Sequence, residues 1–371
     1  MHQQKILIVG AGIGGLSAAI SLSRAGHSVE LVERDPDWSV YGVGIIQQAN
    51  VIRAMDQLGV LSVFLDAACG FDAVEIFLPD GTMAARVPTP RLVEGQPANV
   101  GISRTALQKV LAESSAALGA KTRLGLTLKQ LDDDGAGVTV TFSNGSVGRY
   151  DLVIGADGVY SQVRDMVLPA AEKPEFTGQS VWRYNFPRPA ALDALQVYNG
   201  STGVGLVPIS NEVMYMYVTT PEPGNPRYPL RGLAATMAAK LSGCAPAIRA
   251  LADQIVDDAA VVYRPLEGVL VTGPWHNGRT VLLGDAVHAT TPHLGQGAGM
   301  AIEDAIVLAE ELARHDDPES AFSAYRDRRF ERCAYIVTSS LAICHGQLGK
   351  GPAIDNHKAT AEMFAVISQP I

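Results

Sequence analysis

The sequence predicts an α/β fold in which a Rossmann-like domain is interleaved with a smaller β-sheet domain and ends in a C-terminal helical tail. Three short glycine-and-acid clusters support this prediction: GAGIGG at 10–15, ADG at 156–158 and GDA at 284–286. Alternating strand and helix signals occupy both ends of the chain, whereas the middle is rich in strand signals. Two interleaved domains are therefore expected.

The first glycine cluster has the surroundings of a βαβ dinucleotide-binding turn. It follows the apolar run 5–9 and precedes a helical stretch, and Glu33 ends the next apolar run. In such a turn Gly10 permits the sharp bend, Gly12 lets a pyrophosphate approach the backbone, and Gly15 allows close packing of helix and strand. Glu33 would accept hydrogen bonds from ribose hydroxyls. The alternative is a packing turn without a ligand.

The remaining elements follow from periodicity and turn residues. We predict hairpins over 74–87 and 138–154, a helix over 104–118, strands over 180–186, 203–208 and 213–219, a parallel strand over 280–283, and helices over 13–25 and 297–314. The last twenty residues indicate one more helix. We assign 1–72, 98–174 and 268–371 to the first domain with its C-terminal helices, and 73–97 and 175–267 to the second.

Composition narrows the class of protein. The 371 residues are 47% hydrophobic with a mean hydropathy of +0.13, which suits an enzyme with buried parallel-sheet cores. A net charge of −9 argues against nucleic acid or stable membrane association. The first ten residues have the pattern of a strand, not of a signal peptide, so we expect the protein to lie in the cytoplasm. The four cysteines lack metal-ligand spacing, so we expect reduced thiols and no metal site.

Several motifs in a fixed order give the chain a family resemblance. They are GxGxxG with Glu33-Arg34, SRTAL at 103–107, DLVIGADG at 151–158, LGDA at 283–286, GQG at 295–297 and IEDA at 302–305. The chain resembles the single-component FAD-dependent aromatic hydroxylases, the flavoprotein monooxygenases typified by para-hydroxybenzoate hydroxylase. This resemblance covers nearly the whole chain.

The resemblance implies the cofactor and the reaction. FAD would bind noncovalently, NAD(P)H and O2 would be co-substrates, and a small aromatic or heteroaromatic ring would be hydroxylated through a flavin C4a-hydroperoxide. With a single dinucleotide motif, the nicotinamide would bind transiently against the FAD domain. The expected partner is therefore a small aromatic substrate, and the protein is expected to be a monomer or a homodimer.

The resemblance also assigns the cofactor contacts. Asp285 would accept hydrogen bonds from the ribityl chain, and the small residues after Pro292 would place backbone N–H groups against the flavin pyrimidine. Arg104 either pairs with cofactor oxygens or only caps or pairs on the surface of its helix. The backbone of Leu128 either contacts adenine or Leu128 is only a core residue. The full predicted set is Gly12, Ile13, Gly14, Gly15, Glu33, Arg34, Arg104, Leu128, Asp157, Asp285, Pro292, Gly295, Gly297 and Ala298.

Strand alternation predicts the substrate side. Tyr215 and Tyr217 share one face of a strand, and we expect that face to look into the substrate pocket. Arg183 would bind an anionic substrate or the cofactor, or else lie at the surface. The predicted substrate residues are Tyr198, Leu206, Val207, Tyr215, Tyr217 and Arg183.

Two residues are predicted to take part in catalysis. These are Tyr215 and His293, the latter as a carrier of a phenolic proton at neutral pH, whereas His288 is expected to be structural.

The family often has asparagine two residues after GQG, where this chain has Gly299, which puts one side-chain contact to the flavin in doubt. The alternatives are a flavin reductase, a halogenase, whose WxWxIP segment this chain lacks, or a non-catalytic FAD-binding redox sensor.

Overall fold

The computed structural model describes residues 3–200 and 202–371. The strands in this part of the chain are β1 (Lys5–Val9), β2 (Ser28–Glu33), β3 (Gly44–Gln47), β4 (Cys69–Phe71), β5 (Ala73–Phe77), β6 (Met83–Pro88), β7 (Asn99–Ser103), β8 (Lys121–Leu124), β9 (Leu128–Asp133), β10 (Val138–Phe142), β11 (Val147–Tyr150), β12 (Leu152–Gly155), β13 (Glu175–Pro187), β14 (Leu195–Tyr198), β15 (Gly203–Pro208), β16 (Val213–Pro221), β17 (Val262–Gly268), β18 (His276–Asn277) and β19 (Thr280–Leu282). The helices are α1 (Ile13–Arg24), α2 (Ala49–Gln57), α3 (Leu61–Asp66), α4 (Arg104–Ala117), α5 (Gln162–Val167), α6 (Leu233–Lys240), α7 (Pro246–Arg249), α8 (Asp285–His288), α9 (Gly297–Arg314), α10 (Pro318–Gln347) and α11 (Asn356–Ser368).

The first sheet has the strand order β18-β19-β12-β1-β2-β8, and all its pairs are parallel except β18–β19. Ile6, Leu7 and Ile8 of β1 are fully buried, so both faces of this strand are covered. The three glycine clusters follow β1, β12 and β19. Because the carboxyl ends of parallel strands meet at one edge of a sheet, the fold brings together three motifs that are far apart in sequence.

The hairpin predicted over 138–154 is partly wrong. Only Val147–Tyr150 pairs with β10 in the three-stranded antiparallel sheet β9–β10–β11, and Leu152–Gly155 instead lies beside β1 in the parallel sheet. The chain changes sheets at Asp151, whose carboxylate accepts a 2.6 Å hydrogen bond from the amide of Lys5. A fully apolar run such as β12 suits a strand buried on both faces, which explains the change.

The second large sheet has seven strands in the order β17-β13-β16-β15-β14-β5-β6. Its strands are antiparallel to their neighbours except at the β14–β5 pair. On β16 the alternation holds as predicted: Met214, Met216 and Val218 enter a hydrophobic core with residues of α6. Tyr215 and Tyr217 lie on the other face. The strands of this sheet come from the segments assigned to the second domain, whose boundaries remain a prediction.

A small sheet and the C-terminal helices complete the fold. Strands β3, β7 and β4 form a three-stranded sheet, α9 packs against α1, and the long helix α10 packs against α9 and touches β13. The helix predicted near the C-terminus is α11. Among the described residues, no helix is both long enough and apolar enough to cross a membrane.

Candidate active site

A cavity of about 600 Å³ lies where the carboxyl edge of the parallel sheet meets the seven-stranded sheet. Its walls include the turn after β1, the residues after β12 and β19, the start of α9, and strands β3, β13, β16 and β17. Twelve residues proposed from the sequence line it: Gly12, Ile13, Gly14, Arg104, Arg183, Tyr215, Tyr217, Asp285, Pro292, Gly295, Gly297 and Ala298.

The glycine turn after β1 has the geometry that its sequence predicts. Gly10 has φ of +99°, and a Cβ there would lie 2.4 Å from the carbonyl oxygen of Ala156. A Cβ on Gly15 would lie 1.9 Å from the oxygen of Gly10, so only glycine allows helix and strand to approach this closely. A Cβ on Gly12 would meet nothing within 4 Å, because Gly12 faces the cavity.

Two helices begin at this cavity without a side-chain cap. Helix α1 follows Gly12, and α9 follows Gln296, and neither residue gives its helix a side-chain hydrogen bond. The first N–H groups of a helix have no intrahelical acceptor and carry partial positive charge. Gly297 and Ala298 of α9 line the cavity as Ile13 and Gly14 of α1 do. The cavity therefore offers two separate sets of backbone donors to an anionic or electron-rich ligand.

Asp285 and Arg104 line the same cavity and carry opposite charges. Neither side chain has a hydrogen-bond partner or an ion pair within 4 Å among residues 3–200 and 202–371. Burial raises the pKa of Asp285, which His288 and Arg104 oppose. Burial likewise lowers the pKa of Arg104, and Asp285 and Tyr215 oppose this shift. Both groups thus face the cavity with free hydrogen-bonding capacity.

Arg183, Tyr215 and Tyr217 form the wall on the side of the seven-stranded sheet. Burial, together with repulsion from Arg104, lowers the pKa of Arg183 to about 10. Its guanidinium is still charged at neutral pH, yet it makes no hydrogen bond or ion pair within the described residues. Burial raises the pKa of Tyr215 to about 12 despite the two nearby arginines, and it raises that of Tyr217 as well. Both phenols are therefore neutral hydrogen-bond donors at neutral pH.

Asp157 and Glu33 lie outside the lining of the cavity and bond to the backbone. Asp157 accepts hydrogen bonds from the amides of Gln162 and Val163 at the start of α5, at 2.7 and 3.1 Å. Glu33 ends β2 and accepts hydrogen bonds from the amides of Ala11 and Asp35, at 3.0 Å each. Glu33 therefore lies beside the glycine turn, as the motif requires.

The other three predicted cofactor residues outside the lining are Gly15, Arg34 and Leu128. Arg34 is exposed, and Leu128 is buried in β9. A direct contact of Gly15, Asp157, Glu33, Arg34 or Leu128 with the cofactor remains a prediction.

Three predicted wall residues do not line the cavity. Tyr198 stacks on Phe77 at 4.4 Å, and Leu206 pairs with Met216, so both lie on the opposite face of the sheet from Tyr215. Val207 shares the face of Tyr215 but is fully buried, because β7 covers it. They lie outside the lining because nearness to Tyr215 in the sheet does not fix the face, and because a second sheet covers part of the face that Tyr215 shares. Their contact with a substrate remains a prediction.

His293 does not line the cavity either. Its Nδ1 lies 2.9 Å from the hydroxyl of Thr291 and its Nε2 lies 3.1 Å from the amide oxygen of Gln347 on α10. Burial lowers its pKa to about 4, against the opposing effect of the Gln347 hydrogen bond. The ring is thus neutral, occupied at both nitrogens and absent from the lining of the cavity. His293 therefore bonds within the fold and does not line the cavity, and its part in catalysis remains a prediction.

The structure adds cavity residues that the sequence did not indicate. Tyr41, which precedes β3, lies under the guanidinium of Arg264 in β17 at 4.3 Å, and its hydroxyl accepts a hydrogen bond from Arg264. Tyr160 and Glu267 lie farther along the same wall. None of these residues belongs to a motif, so no signal in a single sequence could have found them.

One buried cluster carries atoms of the kinds that bind metals. Side-chain atoms of His288, Asp304 and Cys333 lie within 4.8 Å of one another. Asp304 already accepts hydrogen bonds from the amide of Gly284, from His288 and from Arg329, at 3.0, 2.6 and 2.8 Å. Burial opposes ionisation, yet these partners hold the pKa of Asp304 at about 2. The cluster therefore has the bonding of a structural ion-pair network.

Comparison with known proteins identifies the family. Residues 3–340 match the FAD binding domain family, so the chain belongs to this family of flavoproteins. The chain is 33% identical over 373 residues to the Bacillus subtilis (strain 168) protein named "Putative FAD-dependent monooxygenase YetM", with 98% of this chain and 99% of the relative covered. It is 32% identical to 3-hydroxybenzoate 6-hydroxylase of Polaromonas naphthalenivorans (strain CJ2), with 90% and 86% covered.

A solved structure agrees with these relatives. The complex of Klebsiella pneumoniae HpxO with FAD and uric acid superimposes with a TM-score of 0.83 at 26% identity, covering 98% of this chain and 92% of that chain. Together with the site, these comparisons confirm the class that the motifs indicate. The protein is a FAD-dependent monooxygenase of the aromatic hydroxylase type, with NAD(P)H and O2 as co-substrates.

Proposed function

We propose that FAD lies along the cavity, with its pyrophosphate at the start of α1 and its isoalloxazine ring at the start of α9. The observation that carries this proposal is that two uncapped helix N-termini open on one cavity that Asp285 and Arg104 also line. The order of donors fits the cofactor: amides for the pyrophosphate, a carboxylate for ribityl hydroxyls, and amides for the electron-rich pyrimidine. When bound, FAD would supply hydride uptake from NAD(P)H and oxygen activation.

The substrate would lie between the flavin end of this cavity and strands β13 and β16. Arg183 supports an anionic substrate, because a charged and largely buried guanidinium without a protein partner gains most from an anionic ligand. The names of two of the compared proteins involve molecules of this kind, a hydroxybenzoate and uric acid. We therefore infer a small anionic aromatic or heteroaromatic substrate, such as a phenolate or a ring carboxylate.

Tyr215 would act as a hydrogen-bond donor that orients the ring. Its raised pKa keeps the phenol protonated at neutral pH, so it would donate a hydrogen bond to an oxygen of the substrate and not remove a proton. A substrate bound as a phenolate beside Arg183 would need no separate base, which agrees with the position of His293 away from the cavity. The contribution of these side chains is placement of the ring and exclusion of water.

The remaining assignments are proposals of the same kind. The FAD domain would comprise 1–72, 98–174 and 268–371, and the substrate domain 73–97 and 175–267. All four cysteines are free, and three of them are buried, which supports the cytoplasm as the compartment. A monomer or a homodimer remains the proposal for the oligomeric state.

The test is substrate-stimulated oxidation of NAD(P)H with incorporation of labelled oxygen from O2. A panel of hydroxyaromatic acids, neutral phenols and neutral N-heteroaromatics would be compared at equal concentration. We expect the hydroxyaromatic acids to give the strongest stimulation and to yield a hydroxylated product. Stimulation by neutral rings alone would contradict the anionic class. Reduction of a double bond would favour the reductase, and halogenation of the ring would favour the halogenase. NAD(P)H oxidation that none of the rings stimulates would favour the redox sensor.

A further inference from the structure

Three buried amide side chains meet beneath the GQG turn. We call Gln48, Asn50 and Gln296 the amide cluster; their exposed fractions are 9%, 1% and 1%. Asn50 Nδ2 donates to Gln296 Oε1 at 3.0 Å, and Gln296 Nε2 donates to Asn50 Oδ1 at 3.2 Å and also to Gln48 Oε1. The two amides of Asn50 and Gln296 thus bond to each other in both directions, so the side chain of Gln296 has one preferred orientation.

The amide cluster is anchored to a buried charge. Asn50 Nδ2 also donates to Glu303 Oε1 at 3.0 Å, and Glu303 is fully buried on α9. Arg329 and Arg332 of α10 form ion pairs with Glu303 at 2.8 and 3.1 Å. Because Glu303 is itself fixed by two arginines, Asn50 is held between a rigid acceptor and Gln296.

Gln296 connects the cluster to the cavity through its backbone. It lies between Gly295, whose φ is +68°, and Gly297, the first residue of α9. Its side chain points into the cluster and gives α9 no cap, so the first N–H groups of the helix stay open to the cavity. The orientation of this side chain therefore bears directly on the turn that faces the proposed flavin ring.

The cluster also explains why glycine occupies position 299. A Cβ on Gly299 would lie 2.9 Å from Val51 Cγ2, 3.1 Å from Gln296 Oε1 and 3.3 Å from Asn50 Nδ2. A side chain there would push the cluster out of place. The space that an asparagine at this position would need is filled in this chain by amides from α2 and from the GQG turn.

We propose that Asn50 is a positioning residue that fixes the GQG turn and so holds the first turn of α9 against the flavin pyrimidine. The proposal rests on the placement of FAD given above. Asn50 makes no contact with the cavity and acts through Gln296. Because the start of α9 stabilises negative charge, a displaced turn weakens binding of reduced, anionic flavin more than binding of oxidised flavin.

The experiment compares Asn50→Ala and Asn50→Asp with Gln57→Ala, which removes an exposed amide from the same helix. The readouts on FAD-loaded protein are the flavin midpoint potential and the FAD dissociation constant, with the unfolding midpoint of the apoprotein as the measure of stability. We expect both Asn50 variants to bind reduced flavin about tenfold less well relative to oxidised flavin, a midpoint about 30 mV lower for a two-electron couple. Gln57→Ala should leave the potential unchanged.

A folded Asn50 variant with the wild-type potential overturns the proposal. If both Asn50 variants fail to fold, Gly299→Ala disturbs the same cluster from the other side and should lower the potential likewise. Where Asn50→Ala folds, Gly299→Ala should lower the potential less in that background than in the wild type, because one of its clashing partners is gone. Equal shifts in the two backgrounds would contradict a shared action through the cluster.

Ala298→Leu separates this inference from the placement of FAD. It adds bulk to the cavity at the proposed flavin seat without touching the amide cluster. Unchanged FAD affinity in Ala298→Leu would overturn the placement itself. Weakened FAD affinity in Ala298→Leu, together with unaltered potentials in the Asn50 variants, would overturn only the role of Asn50.

Discussion

Two groups of charged side chains in this protein differ in how they are satisfied. Around Asp304, the charged side chains of α8, α9 and α10 are paired: Asp304 binds His288 and Arg329, and Glu303 binds Arg329 and Arg332. In the cavity, by contrast, the side chains of Arg104, Arg183 and Asp285 make no hydrogen bond or ion pair in the chain as described; the two arginines are half-buried and Asp285 is exposed. Unpaired charges that line a cavity are free to bind a ligand, and they gain most when the ligand excludes water from them. The first group therefore maintains the fold, and the second is available to bind ligands.

Removing a partner from the paired group should have the largest effect on stability. Arg329→Met leaves Asp304 and Glu303 buried without their main cation, and breaking a buried pair in this way destabilises by about 3–5 kcal/mol. Urea unfolding of the apoprotein would measure the loss, with the exposed Arg231→Met as the control. A loss within 1 kcal/mol of the control would show that the two groups do not differ as proposed.

Asp285→Ala tests the unpaired group at the cofactor. Its carboxylate supports no other residue by a hydrogen bond, so the free energy of unfolding of the apoprotein should stay unchanged. FAD affinity should fall about ten- to hundredfold, since hydrogen bonds to a charged group are worth about 1.5–3 kcal/mol. Titration of the apoprotein with FAD measures this, beside the exposed Asp316→Ala. Lost stability with intact FAD binding would show instead that Asp285 maintains the fold and does not bind FAD.

Arg183→Gln tests the unpaired group at the substrate. We expect FAD affinity to remain and affinity for an anionic ring to fall about tenfold or more, because a charge-assisted hydrogen bond is replaced by a neutral one. Binding of a neutral analogue should change much less. Perturbation of the flavin absorbance by each ring would give the dissociation constants. An equal loss for the anionic and the neutral ring would argue that Arg183 shapes the cavity and does not bind the charge.

Tyr215→Phe should have a smaller effect on affinity and a clear effect on coupling. Loss of one neutral hydrogen bond corresponds to about 0.5–1.5 kcal/mol, so substrate affinity should fall about two- to tenfold. A less well placed ring would leave more NAD(P)H oxidation ending in hydrogen peroxide. Peroxide per NAD(P)H is the measurement, with Tyr198→Phe on the opposite face of the sheet as the control. Equal amounts of peroxide per NAD(P)H in the two variants would show that Tyr215 does not position the substrate.

His293→Gln should have the smallest effect, confined to stability at acid pH. Burial lowers the folded pKa of His293 from about 6.5 to about 4, so the unfolded chain binds the proton more readily between these values. The contribution of His293 is complete above pH 6.5 and is lost as pH falls towards 4. Unfolding midpoints at pH 7 and pH 5 should therefore differ less in the variant than in the wild type. Increased peroxide formation in His293→Gln would instead place this residue at the substrate.

The residues predicted from motifs and those predicted from nearness had different outcomes. Gly10, Gly12 and Gly15 have the geometry expected of each, because the demands of a tight turn are local. Tyr215 and Tyr217 face the cavity because strand alternation is also local. Tyr198 and His293 were placed by nearness along the chain or the sheet, and both point elsewhere.

The sequence by itself determined the motifs of the FAD domain and the alternation of β16, since these depend on residues close together in the chain. Only the tertiary structure decided which charges remain unpaired. Arg329 and Arg183 are both arginines in patterned segments, and nothing near them in sequence tells them apart. Their difference arises because α10 brings Arg329 onto Asp304 and Glu303 of α9, whereas β13 points Arg183 into a cavity. Pairing between distant elements is a property of packing, which no local pattern contains.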